Sequence, residues 1–165
     1  MRELINKIAQ AFYKLAYWAL LSLWFFTRPT VYGVYVAVWH RDKLLMIKNS
    51  YKKRFTIPCG RIKLRENKAA AAVRELYEEV GIKLDNDQLD FVGEYAGKFK
   101  YATDIGTFFE ITLAEFPQIQ VDNREVVWSQ FMSLEKVLNL NLNPTVKTWL
   151  KQRTLQHRHR LLSGF

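Results

Sequence analysis

The chain has 165 residues, 49% of them apolar and 15% aromatic, with a formal net charge of +9. That length fits one domain, and the apolar content excludes a chain disordered throughout. The single cysteine, Cys59, excludes an internal disulfide framework or a multi-cysteine zinc site.

Charge is concentrated at the ends. Residues 1–30 carry four basic side chains and one acidic, residues 147–165 carry five basic and none acidic, and the middle is nearly neutral. Basic ends suit an anionic neighbour such as acidic lipid, nucleic acid or a partner protein, or they serve solubility alone.

Residues 1–26 read as a helix. In its first half Ile5, Ile8, Phe12 and Leu15 recur at helical spacing, with Glu3, Lys7, Gln10 and Lys14 opposite them. Residues 15–27 are uncharged but too few to span a bilayer. No small-residue cleavage site follows them, and Pro29 closes the segment. Tyr13, Tyr17, Trp18 and Trp24 suit a membrane interface, and equally a helix packed on this domain or on another subunit. After Pro29 the period changes to two. Strands are expected at 31–39, 43–48 and 55–57, with a tight turn at His40–Asp42. A helix is expected at 68–80, and further strands near 90–96, 105–114 and 126–131. Two helices follow, at 134–139 and from 144 to about 157, the second capped by Asn143 with Pro144 in its first turn. The interleaving makes an α/β (α+β) domain: a mixed β-sheet between helices, with an extra apolar helix at the N-terminus.

The chemistry is concentrated in residues 60–82, GRIKLRENKAAAAVRELYEEVGI. Asn67 can cap a helix, Ala69 to Ala72 favour one, and Gly81 can end it in the left-handed region. On that helix Glu75 lies three residues from Glu78 and four from Glu79, so all three carboxylates share a face. Like charges so placed do not stabilise a helix, and a divalent cation with oxygen ligands is the natural neutraliser. Val73, Leu76, Val80 and Ile82 fall on the other side and can face the core. An exposed acidic face with an Arg74–Glu78 pair is the plain alternative.

The whole segment fits Gly-x5-Glu-x7-Arg-Glu-U-x-Glu-Glu-x-Gly-U, with U aliphatic, at Gly60, Glu66, Arg74, Glu75, Leu76, Glu78, Glu79, Gly81 and Ile82. Chance would give such a match on the order of once in ten million chains of this length. The segment resembles the Nudix box, and the element order resembles that family over roughly 31–155. The resemblance implies a Nudix fold and a hydrolase that splits a nucleoside diphosphate linked to another group with Mg²⁺ or Mn²⁺. It implies Glu78 and Glu79 as metal ligands, Glu75 as a further ligand or the group orienting water, and the Gly60 carbonyl in the metal shell. Arg74 would hold the glutamates and Glu66 would bond back to Arg74. Glu125, just before the expected strand at 126–131, is the candidate ligand or base outside the box, with Asp122, Glu110 and Glu115 as rivals. Lys48, Arg61 and Lys63 are candidates for substrate phosphate. Cys59 and Arg65 stand where the family often has glycine.

Second signatures of the NADH, coenzyme A and ADP-ribose subgroups are missing, which leaves a nucleoside triphosphate or similar small nucleotide as the expected substrate. Trp39, Phe99, Tyr101 and Phe109 could stack on a base, though core packing explains each as well. Two alternatives stay open: a membrane-associated hydrolase of a lipid-linked or envelope-precursor diphosphate, and a non-catalytic ligand-binding module. The expected setting is cytoplasmic, with peripheral membrane contact through residues 1–28 or a homodimer as the partners to consider. The tail His157–Arg160 lacks the aromatic interleaving of a nucleic-acid site.

Overall fold

The computed structural model describes the backbone of residues 1–162 and side chains through Leu155. The basic tail at 157–160 therefore lies outside the described side chains. The elements in order are α1 (Arg2–Thr27), β1 (Thr30–His40), β2 (Lys43–Asn49), β3 (Cys59–Arg61), α2 (Lys68–Val80), β4 (Asp90–Phe99), β5 (Ala102–Thr112), β6 (Val126–Ser133), α3 (Leu134–Leu138) and α4 (Pro144–Leu162). The sheet runs β4-β5-β1-β2-β6, with β3 paired to β1. β1 and β5 are parallel, and the remaining pairs are antiparallel.

β1 is buried on both faces, so it reads as a continuous apolar run. Val34, Val36 and Val38 point to one core, with Leu45, Ile47 and the inner face of α2 (Ala72, Leu76, Val80). Tyr35, Ala37 and Trp39 point to the other, with Leu44, Met46, Phe108 and the α4 residues Val146, Trp149 and Leu150. The sheet is thus sandwiched between α2 and the α3–α4 pair. At the β1–β2 turn Arg41 and Asp42 have φ of 45° and 60°, the left-handed pair that matches hairpin twist.

One local expectation changes. Residues 55–57 make single-residue bridges, Ile47 with Thr56 and Phe55 with Leu142, instead of a strand. The strand is β3, immediately after Pro58, because the edge of β1 at Gly33–Tyr35 is free to take Cys59–Arg61. The N-terminal helix docks on the domain by the side that carries Tyr13, Tyr17 and Trp24, while Trp18 stays exposed. Asn6, Gln10, Tyr13, Tyr17, Leu20 and Trp24 face the domain, and Ile5, Ile8, Phe12 and Leu15 face away from it. Gln10 donates to the Asn123 carbonyl at 2.8 Å, Arg124 donates to Asn6 at 3.2 Å, and Tyr13 stacks on Tyr51.

Candidate active site

The loop before α2 and the first turns of that helix are held by one arginine. Arg74 donates from Nε and Nη2 to both oxygens of Glu66, at 2.7 and 2.9 Å, and from Nη2 to the Arg61 carbonyl at 3.0 Å. Its Nη1 donates to Glu75 at 2.6 Å and to Glu78 at 3.2 Å. Glu66 also accepts from the Lys63 amide at 2.8 Å. These charge-assisted bonds, Arg74 first, hold the Glu66 carboxyl down at about 2. The loop is thereby closed onto the helix, with Asn67 accepting from the Ala69 and Ala70 amides and Gly81 ending the helix at φ 76°.

Glu79 faces inward from α2 and is 6% exposed. It accepts from the Cys59 amide at 2.8 Å. Burial pushes its carboxyl well above the usual range; that amide and the nearby Lys52 oppose the shift, and Glu125 and Glu75 add to it. Burial likewise raises Glu75, against the pull of Arg74. β3 delivers Gly60 directly against Glu75: a side chain there would overlap its carboxyl group. Glu125 arrives from the far edge of the sheet, and Tyr51 donates to it at 2.7 Å. Asp122 accepts from the Glu125 and Val126 amides and so shapes the turn that presents Glu125.

Gly60, Arg61, Lys63, Arg74, Glu75, Glu78 and Glu125 line one cavity of about 430 Å³. Its far side is aromatic and apolar, with Tyr32, Tyr35 and Phe99 from the sheet and Tyr17, Leu20 and Trp24 from α1. The sequence therefore points to residues that the fold does gather. Lys48 is elsewhere: it shares strand parity with Leu44 and Met46, its amine lies 5.0 Å from the Phe55 ring centroid, and it lines a separate groove with Trp128. Glu110 accepts from Trp39 and Arg153, and Glu115 is exposed in a loop. Of the aromatic candidates only Phe99 reaches the cavity; Trp39 and Phe109 are core, and Tyr101 packs on Phe25. Tyr32, Tyr35, Tyr51, Lys52, Tyr17, Leu20 and Trp24 are among the contributors that sequence reasoning missed. They lie outside any spaced motif and reach the cavity only through tertiary packing.

The donor set suits a hard divalent cation: carboxylates and a backbone carbonyl, all oxygen. An ionised Glu79, buried and bonded to a single amide, also calls for a positive charge beside it. In the geometry described here, however, Arg74 occupies oxygens of Glu75 and Glu78. No three acidic, histidine or cysteine side chains are gathered at ligand spacing among the described residues.

The family model described as NUDIX domain matches residues 29–152. No curated protein matches the chain. Among solved structures, it is similar to a MutT protein from Methanosarcina mazei Go1, with a TM-score of 0.68 at 17% identity over 79% of this chain and 96% of that one. It is similar to a C. elegans Ap4A hydrolase, with a TM-score of 0.64 at 18% identity over 82% and 100%. A third similarity is to a bifunctional NMN adenylyltransferase/ADP ribose pyrophosphatase from Francisella tularensis, complexed with AMP and a manganese ion. There the TM-score is 0.62 at 20% identity, over 92% of this chain and 48% of that one.

Proposed function

Because the chain belongs to the Nudix family, we propose that it is a divalent-metal-dependent pyrophosphohydrolase of a small nucleotide, with a nucleoside triphosphate or a close relative as substrate. The observation that carries this reading is the cavity itself, which sets carboxylates, four cations (Lys52, Arg61, Lys63 and Arg74) and aromatic walls around one space. A pyrophosphate needs the first two and a base needs the third. The structural neighbours bear on different nucleotides, so the family alone does not choose among them.

Glu75, Glu78, Glu79 and Glu125, with the Gly60 carbonyl, are the groups that would hold Mg²⁺ or Mn²⁺. A cation bound there neutralises pyrophosphate charge and makes a bound water more acidic. Arg74 fixes the loop and holds Glu75 and Glu78 together on one nitrogen. Lys52, Arg61 and Lys63 meet the phosphates. Glu75, whose burial raises its proton affinity, is suited to take the proton of the attacking water as phosphorus is attacked and the second phosphate leaves. Glu125, held by Tyr51, is the second group placed for that role.

The test is turnover of a panel of nucleoside triphosphates, dinucleoside polyphosphates and ADP-ribose with Mg²⁺ or Mn²⁺, beside Glu78→Gln and Glu79→Gln. Both variants should lose activity by about 100-fold or more, since each removes a charge while keeping shape. Metal-dependent binding without turnover of any of these compounds would instead support a binding module.

A further inference from the structure

The face of α1 turned away from the domain is apolar from end to end. Leu4, Ile8, Phe12, Leu15, Leu23 and Phe26 are each more than half exposed, and Ala19 continues the row between Leu15 and Leu23. At helical rise this stripe runs for about 33 Å. It does not hold the helix in place, because the docking contacts come from the opposite side. A helix that needed only to dock would carry polar residues on this outer face. An exposed apolar surface of this extent marks a contact.

The charges around the stripe identify its occupant. Arg2, Lys7, Lys14 and Arg28 belong to the helix or its end, and Lys100 lies over the Trp18 ring. Against these five cations the helix carries one acid, Glu3, paired with Lys7 at 3.2 Å. Two copies meeting stripe to stripe would bring two such cationic sets together. A sheet of lipid phosphates would neutralise them. Among the described residues no helix is long and apolar enough to cross a membrane, and the inner face carries Asn6 and Gln10. We propose that α1 lies in the plane of an anionic bilayer, its outer stripe at the acyl boundary and its flanking lysines and arginines on the headgroup phosphates. Tyr17, Leu20 and Trp24 on the same helix wall the cavity, so the site stands about one helix diameter, ~10 Å, from the lipid surface.

The experiment is sedimentation of the full chain with phosphatidylcholine vesicles, plain or containing about 30% phosphatidylglycerol. The protein should pellet with the anionic vesicles and be released by high salt. Ile8→Ser/Leu15→Ser should weaken binding about tenfold or more, with an unchanged melting temperature and unchanged hydrolysis of a soluble nucleotide. Lys7→Gln/Lys14→Gln should weaken binding to anionic vesicles alone. Wild-type protein left in the supernatant with both vesicles overturns the proposal, as does an Ile8→Ser/Leu15→Ser variant that still binds. If light scattering then finds a dimer that this variant splits, the stripe is an interface between copies instead. This inference stands apart from the reaction: vesicle binding needs no turnover, and loss of activity in the Glu78 and Glu79 variants needs no lipid.

Discussion

Arg74 shows how one side chain can hold a cluster of carboxylates onto a loop. It bonds Glu66, Glu75 and Glu78 at once, and those bonds, Glu66 first, push its own proton affinity up. Gly60 sets the other limit. In Gly60→Ala the new methyl meets the far end of the Glu75 side chain, which can swing aside. Thermal melts should then show a loss of only about 1 kcal/mol, while kcat falls by about tenfold or more because Glu75 is displaced. Glu79 gives a pH signature. Its carboxyl is raised in the folded state from an ordinary value of 4.5, so its contribution to stability is present below that value and is lost as pH rises through the folded one. Glu66, lowered to about 2, acts in the opposite sense, and its contribution is lost as pH falls toward 2. The melting temperature of metal-free protein should therefore drop as pH rises above 4.5. Glu79→Gln should flatten that slope, and Mg²⁺ should restore stability at the upper end in the wild type alone. A metal-free Glu79→Gln protein with the wild-type slope would remove Glu79 as its source.

At the scale of elements, the helix that carries the motif was legible to its ends, because Asn67, the alanines and Gly81 each favour the same boundaries. β3 was not legible: nothing in Cys-Gly-Arg favours a strand, and only the free edge of β1 makes one. Glu125 could be found from its position before a strand, whereas Tyr51 and Lys52 could not, since their loop has no period. α1 was expected as a helix but not as a wall of the cavity. Its hydrophobic pattern marks the outer stripe, and the residues that line the site are two aromatics and a leucine, Tyr17, Trp24 and Leu20. Trp24, with the Arg61 guanidinium 5.6 Å from its ring, is the clearest test of that wall. Trp24→Ala should raise KM about tenfold with kcat changed little, because it removes packing and cation–π contact common to ground and transition states. A fall in kcat at unchanged KM would place Trp24 outside the substrate wall.

At the scale of the molecule, the family resemblance and the family match cover the same central span, and α1 lies outside it. The parallel pairing of β1 with β5 has a consequence for how the chain reaches its native state. The hairpin β1–β2 closes over two residues, but β1 must wait for Thr103 to Thr112 before its other edge is filled. Contacts so distant in sequence form slowly, since the loop entropy is lost before the pairing compensates for it. α2 sits inside that loop and packs against β1, β5 and β6, so the helix takes its final place only once the sheet around it is assembled. Pulse-labelled hydrogen exchange during refolding should protect the His40 and Lys43 amides, which face each other across the hairpin, before those of Phe109 and Ile111, which face β1. Recovery of hydrolysis should follow the later phase, so that the growing chain acquires its reactivity last.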